Sequence, residues 1–459
     1  MSENLIHRAA MTLDKSVSRL AEIFEMTRGR VPRGSLIAAL FPEITLGLLE
    51  QIREGIVYIS GSNGKTTTSR MLANILIAAE HPTLCTSNTS GTLEDISTAL
   101  IHSATARGQI RSDYGVFGVD DETILDMMDV SAPLVVVLNN LYQDGVETEG
   151  GADAVIREWR SRFKSMEPGQ VLVVNADDPV LCGGFVRESP PRILYFGVED
   201  KAVRTRSRQA ELTRCYKCGA PLEYEMVGMS HLGDYRCDVC GWKRPAPSVY
   251  AINVVLNADG SSFRVITPSG PLDVALKFPG VHNIYNAVAA AAAADCLGIL
   301  PATIRTGLER TIPETGRCEP LTVNERHTRL MLVKNPTSLD EAIRTAFLLP
   351  PPHRFLFLVD NEVDTGGDVS WIWDANLERL SGRAESVVVS GSGAEHLVLR
   401  FKHAGVDVTE VDLDPDYAFH RAMADTPRKG HLHVLATESA MFELRQELAD
   451  AGLVAVSDA

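Results

Sequence analysis

Apolar and polar residues follow one another along this chain in blocks whose period changes, and those changes outline its elements. Over residues 9–24, Leu13, Val17, Leu20, Ile23 and Phe24 recur at helical spacing and predict a lead-in helix, ended by the glycines and proline of 29–34. Residues 36–49 then lead into a first strand. Short unbroken apolar runs follow at 56–60, 82–86, 114–119, 133–138, 171–175 and 193–197. Separated by helical patterns such as Met71, Leu72, Ile75 and Leu76, such runs predict parallel strands buried on both faces. Period two over 250–265 and 272–277 predicts antiparallel strands, and an Ala-rich helix is predicted over 288–297. Residues 313–317 read as a hinge. Beyond it, strands are predicted at 329–333 and 355–359, and helices at 339–348, 395–403 and 441–449.

The pattern is that of an α/β protein, a doubly wound parallel sheet with ligands expected at the carboxyl ends of its strands. Three parts are expected. Residues 1–50 form the lead-in helix and linker, 51–312 a central nucleotide-binding domain with an insertion at about 205–247, and 313–459 a smaller α/β domain. A length of 459 residues agrees, at ~150 residues per domain. The formal net charge of −16 argues against nucleic acid or an anionic membrane as a non-specific partner. No apolar run approaches the ~20 residues of a membrane span, and Met1-Ser2-Glu3-Asn4-Leu5 lacks the basic-then-apolar layout of a secretory signal. Four of the eight cysteines are scattered (Cys85, Cys182, Cys296, Cys318), a poor disulfide framework, so a reducing cytosol is the expected home.

The candidate chemistry begins at Gly61-Ser62-Asn63-Gly64-Lys65-Thr66-Thr67, between the first strand of the central part and a helix. In that context backbone N–H groups and the helix dipole attract phosphate oxygens, Lys65 adds a point charge and the Thr66 hydroxyl can hold Mg²⁺. The plain alternative is a glycine turn that binds nothing. Asp120 and Asp121 end a strand after this loop, where a carboxylate can serve the nucleotide's Mg²⁺; acids there also cap helices. Cys215-x-x-Cys218 and Cys237-x-x-Cys240, each followed by a glycine, suit a closed tetrahedral zinc site with no open position for catalysis. Gly280-x-x-Asn283-x-x-Asn286-Ala287 opens the Ala-rich helix, and there His282 and Asn283 have a plain reading as helix caps. The acidic stretch 360–374 carries two tryptophans. Its plain reading is a helix start capped by Asp368, with Trp371 and Trp373 packed inward.

Taken together, the short phosphate loop, the Asn283/Asn286 helix start and the Gly316-Arg317 pair resemble the Mur ligase superfamily. The four-cysteine ribbon, Lys334-Asn335-Pro336 and the 368–374 loop are similar to the MurT-type ligase-like subunits of lipid II isoglutaminyl synthase. The resemblance covers about residue 30 to the end. It implies a Mur-ligase-like ATPase domain with an inserted zinc ribbon and a Rossmann-like C-terminal domain, with ATP, Mg²⁺ and Zn²⁺ as cofactors. It also implies amidation of the D-glutamate α-carboxylate of lipid II through an acyl phosphate, with ammonia from a GatD-type glutaminase partner. The lipid-linked substrate would bring the chain to the inner face of the plasma membrane. Gly61, Ser62, Asn63, Gly64, Lys65, Thr66 and Thr67 would bind the phosphates and Mg²⁺, while His282, Asn283 and Asn286 would approach the base. Arg317 would stabilise the transferring phosphoryl group, and Asp368, or else Asp374, would complete the partner's triad. The chain departs from the pattern in having Gly118 where such relatives carry an acid and Gln143 where they carry an arginine. Two alternatives stay open: a paralogue acting on another carboxylate, and a nucleotide-binding scaffold that only holds a glutaminase.

Overall fold

The computed structural model describes residues 42–86, 91–105, 107–142, 151–185, 192–205, 214–313, 316–361 and 369–453. The helix expected at 9–24 and the changed position Gln143 lie outside them. The chain divides into two compact units, one of Met1–Val254, Phe263–Ala275 and Asn283–Thr311, the other of Val255–Ser262, Leu276–His282 and Ile312–Ala459. No helix among the described residues is long and apolar enough to cross a membrane.

In the first unit the elements run α1 (Pro42–Leu49), β1 (Gly55–Ser60), α2 (Lys65–Ala78), β2 (Thr83–Cys85), α3 (Leu93–Ser103), β3 (Tyr114–Gly118), α4 (Thr123–Val130) and β4 (Val135–Leu138). There follow α5 (Gly151–Phe163), β5 (Val171–Asn175), α6 (Pro179–Gly184), β6 (Ile193–Val198), the hairpin β7 (Glu223–Met229) and β8 (Leu232–Arg236), then β9 (Val249–Asn257), β10 (Gly260–Thr267) and β11 (Gly270–Leu276). Helices α7 (Val281–Cys296) and α8 (Pro301–Arg310) close the series. The sheet order is β11-β10-β9-β6-β5-β4-β1-β3-β2, and β7–β8 form a separate two-stranded ribbon. β1 pairs in parallel with β3 on one side and β4 on the other, so the chain reverses its winding direction at β1. That is the switch point at which open α/β sheets leave a crevice. The apolar runs predicted as strands are the buried strands of this sheet, because a parallel strand covered on both faces has no polar side to show.

The second unit contains β12 (Arg317–Val323), β13 (Arg326–Leu332), α9 (Pro336–Ala346), β14 (His353–Leu358), β15 (Ala384–Ser390), α10 (Ala394–Ala404), β16 (Glu410–Asp412), α11 (Pro415–Asp425), β17 (His431–Ala436) and α12 (Glu438–Asp450). Its sheet runs β12-β13-β17-β14-β15-β16, all parallel except β12 against β13. Along β14, Phe355 and Phe357 enter the core under α9 and α10, while Leu356 and Leu358 enter the core under α11 and α12. The unit is thus three-layered, with helices on both faces. Arg317, expected to end a hinge, instead opens β12. Trp373, which the plain reading of the acidic stretch packs inward, is 42% exposed and meets His403 edge-on at 5.3 Å; the short 3-10 turn 370–374 turns Ile372 inward.

His433 of β17 is completely buried, its ring 5.2 Å from that of Phe355 and 6.2 Å from that of His353. Burial, helped by the charge of Arg329 and by His353 and His431, pushes its pKa down to about 3. A folded-state pKa below the unfolded value of ~6.5 means that the unfolded chain takes up the proton first. The stability from keeping this ring neutral is therefore complete above that value and is lost as pH falls toward 3. Between pH 7 and pH 5, His433 alone should cost about 2 kcal/mol of stability. Urea unfolding of the wild type and of His433→Phe at both pH values measures this, and the variant should show a correspondingly flatter pH dependence.

Candidate nucleotide and metal sites

The loop 61–64 joins β1 to α2 at the switch point. Gly64, at φ +87°, is the cap of α2 and offers no side chain, so the first N–H groups of the helix point to whatever occupies the crevice. The loop's shape is held from outside. Asn140, just past β4, accepts Ser62 N–H on its carbonyl (3.0 Å) and Asn63 N–H on its side chain (2.9 Å), and donates to the Asn63 carbonyl (3.1 Å). Tyr142 N–H donates to Ser62 Oγ at 2.9 Å. A Cβ on Gly61 would lie 2.7 Å from the Asn140 carbonyl oxygen, which leaves room for glycine alone. Lys65 folds its ammonium onto the Gly61 carbonyl at 2.9 Å.

Behind the loop runs a second line of amides. Asn139 Nδ2 donates to Thr68 Oγ1 (3.1 Å), Thr68 Oγ1 to Asn286 Oδ1 (3.4 Å), and Asn286 Nδ2 to Asn283 Oδ1 (3.3 Å). Asn283 and Asn286, read from the sequence as residues approaching the base, are both buried here, and Asn286 lies directly against Gly64. His282, grouped with the second unit, has Nδ1 3.8 Å from Glu341 Oε2. Burial by itself would raise the Glu341 pKa, but the His282 and Arg344 partners outweigh it and hold the carboxyl low. Asn139 and Asn140 were not singled out from the sequence. The only signal for them was a pair of amides ending an apolar run.

The two acids after β3 separate. Asp120 Oδ1 accepts the N–H groups of Glu122 (3.2 Å) and Thr123 (2.6 Å) and so starts α4. Asp121 faces the loop, with Ser60 Oγ at 2.9 Å. Burial raises the Asp121 pKa, opposed by the charge of Lys65 and the Ser60 hydroxyl. A carboxyl so placed, beside Lys65 and near Thr66 at the start of α2, suits a cation. Arg317 and Asp374 belong to the second unit, Arg317 at the start of β12 and Asp374 exposed at the end of the 370–374 turn. Asp368 lies outside the described residues.

The four cysteines converge. Among the described residues their sulfurs form a group lying within 4.8 Å of one another, with Cys215–Cys240 and Cys218–Cys237 each at 3.5 Å. A tetrahedral site with ~2.3 Å metal–sulfur bonds has edges of about 3.8 Å, so the set fits zinc without rearrangement. Each pair is wrapped by a knuckle turn in which Gly219 N–H meets the Cys215 carbonyl (2.7 Å) and Gly241 N–H the Cys237 carbonyl (2.9 Å). Backbone N–H groups of Cys240 and Val239 aimed at Cys237 bring its thiol down to about 7, whereas burial pushes the Cys215 thiol up to about 12.

Two outcomes follow from this geometry. In Gly64→Ala the new Cβ would sit 2.2 Å from Asn286 Oδ1 on a backbone at φ +87°, so the amide line must break. Titration calorimetry with an ATP analogue should show at least about tenfold weaker binding, given ~1–2 kcal/mol for the left-handed backbone alone. The reduced, purified chain should carry about one equivalent of zinc by metal analysis. Strong chelators should lower its melting temperature markedly, since formation of such sites is worth up to ~10–16 kcal/mol.

Comparison with known proteins agrees with this architecture. Residues 59–235 and 234–294 match the Mur ligase middle domain, and residues 332–441 match the MurT ligase C-terminal domain. The lipid II isoglutaminyl synthase (glutamine-hydrolyzing) subunit MurT of Staphylococcus aureus strain COL is 28% identical over 383 residues, covering 83% of this chain and 84% of that protein. The subunit of the same name from Streptococcus pneumoniae strain ATCC BAA-255 / R6 is 26% identical over 433 residues, 93% of this chain and 94% of that one. In fold, a pseudomurein peptide ligase type C from Methanothermus fervidus superposes with a TM-score of 0.66 at 23% identity, covering 87% of this chain and 79% of the other. The chain belongs to the Mur ligase superfamily, carrying a Mur ligase middle domain followed by a MurT-type C-terminal domain.

Proposed function

We propose that this chain is the ligase-like subunit of a lipid II isoglutaminyl synthase. In the reaction, an oxygen of the D-glutamate α-carboxylate attacks the γ-phosphorus of ATP and ADP leaves. Ammonia then attacks the acyl carbon of the resulting acyl phosphate and inorganic phosphate departs, leaving the amide of D-isoglutamine. A GatD-type glutaminase partner supplies the ammonia by hydrolysing glutamine. The observation that carries this reading is a preformed phosphate loop, with Lys65 and Asp121 facing it, in the same chain as a MurT-type C-terminal domain.

The residues divide the work by chemistry. Backbone N–H groups from Gly64 into the first turn of α2 and the Lys65 ammonium hold the phosphates, with Thr66 and Asp121 as the groups that would hold Mg²⁺. Arg317 supplies fixed positive charge to the phosphoryl group in transfer. On the resemblance His282 would approach the base, while Asn286, held by Asn283, packs against Gly64. Cys215, Cys218, Cys237 and Cys240 bind a structural zinc. Asp368, or Asp374 in its place, orients the imidazole of the partner's glutaminase site and stabilises its charged form.

Amidation of lipid II, or of a soluble muropeptide precursor, tests the scheme. Glutamine should support product only when the glutaminase partner is present, whereas free ammonium should support it with this chain alone. Lys65→Ala should lower both routes by at least about 100-fold. Asp368→Asn should abolish the glutamine route and spare the ammonium route. If it leaves both intact, Asp374→Asn should do so instead. Ammonium-driven amidation indifferent to Lys65→Ala would refute the reading.

A further inference from the structure

Two carboxylates stand side by side just past β5, and both are completely buried: Asp177 and Asp178. Their partners come largely from the cysteine ribbon and its ends. Asp177 receives Arg204 Nη2 at 2.9 Å from the ribbon's entry and pairs with Arg244 at its exit, and its backbone carbonyl accepts Gly233 N–H at 2.9 Å. Asp178 caps α6 through Val180 N–H (2.8 Å) and Leu181 N–H (3.1 Å), and its Oδ1 lies 3.2 Å from Nε2 of His231 in the β7–β8 turn.

From each aspartate a line of contacts continues to the phosphate loop. Asp178 Oδ2 accepts Leu141 N–H at 2.8 Å, the neighbouring Tyr142 N–H holds Ser62 Oγ, and the Tyr142 ring stands edge-on to that of His231 at 5.1 Å. Asp177 Oδ2 accepts the Tyr285 hydroxyl at 2.6 Å, and Tyr285 precedes Asn286, which abuts Gly64. The ribbon hairpin comes so close that a Cβ on Gly228 would fall 2.9 Å from the Tyr285 oxygen. All these residues lie in the first unit.

We propose that the ribbon is an element of the nucleotide site, with His231 as a positioning residue that sets the phosphate loop through Asp178 and Tyr142. The inference rests on the proposed ATP-dependent function. The polar contact to Asp178 and the ring contact to Tyr142 both come from His231, so a change there reaches Ser62 without touching any group that meets the nucleotide. The sequence gives no hint of this link, because the hairpin turn is some 90 residues from Tyr142 along the chain.

The test is titration calorimetry of the full chain with a non-hydrolysable ATP analogue and Mg²⁺, alongside thermal melting. His231→Phe keeps the ring against Tyr142 and removes the nitrogen facing Asp178, whereas His231→Gln puts an amide nitrogen near that place. The Phe variant should bind the analogue about tenfold more weakly while still unfolding cooperatively, at a melting temperature lowered by the loss of a partner to Asp178, and the Gln variant should bind within about twofold of wild type. If Phe does not fold, His231→Asn, polar but too short to reach Asp178, decides in its place and should bind about tenfold more weakly. Wild-type affinity in the Phe or Asn variant overturns the inference, as does an equal loss in the Gln variant. With Lys65→Ala as the control, binding that needs Lys65 but not His231 overturns this inference alone. A wild type that does not bind, or binds as Lys65→Ala does, overturns the proposed function and this inference with it.

Discussion

A loop that is to offer the N–H groups of Gly64 and the start of α2 to phosphate oxygens cannot use those groups to hold its own shape, and here it is the N–H groups of Ser62 and Asn63 that are tied to Asn140. That constraint organises the first unit. The rigidity of residues 61–64 has to be supplied by neighbours, and the neighbours are what the switch point provides: the ends of β3 and β4 on either side of β1, and α7 behind. Asn140 clamps Asn63 from both its donor and acceptor sides, Asn139 and Asn286 bracket Thr68, and a Cβ on Gly61 or Gly64 would collide with Asn140 or Asn286. Such a loop meets its ligand already ordered, so little of the binding energy goes into fixing it.

The same logic sets the cost of holding β4 and β5 in place. Asp177 and Asp178 organise the chain just beyond those strands, and two adjacent buried carboxylates are tolerable only with complete pairing. Removing one partner of a buried charge typically costs ~3–5 kcal/mol. Since Arg204, Arg244 and His231 all come with the ribbon, the insertion is built into the electrostatics of the central sheet. A metal bound by the four cysteines would, by keeping the knuckles closed, also keep three side chains where the sheet needs them.

What could be read from the sequence, and what could not, follows from the range of the interactions. The phosphate loop and the cysteine knuckles were legible because glycine, lysine and thiolate chemistry is local and its spacing is short. The buried strands of the first unit were legible because burial on both faces leaves an unbroken apolar run. In the second unit β12, β15, β16 and β17 went unread. β12 is an edge strand with a proline and charged residues, β16 has three residues of which two are acidic, and His431 and His433 interrupt the apolar run of β17 although His433 is core. The amide and aspartate buttresses were not legible at all. Asn286 meets Thr68 across 218 residues and Tyr285 meets Asp177 across 108, and no local pattern records a contact of that span.

The end of β3 shows how such a framework absorbs a change at its centre. MurT-type chains, as the resemblance has them, place a glutamate where this one has Gly118. A Cβ at that position would lie 3.3 Å from Ser69 Oγ and 3.5 Å from Lys65 Cβ, so any side chain there would point at the start of α2. Asp121, three residues on, is aimed at the same place: Ser60 holds its carboxyl, and the nearest opposing charge is Lys65. Mg²⁺ on a triphosphate takes most of its ligands from phosphates and water and needs only one or two carboxylates. On the proposed function, a single fixed aspartate would meet the requirement that the missing glutamate would otherwise have shared. The glycine in turn lets α2 pack close to β3, where a longer side chain would have had to find room between Ser69 and Lys65.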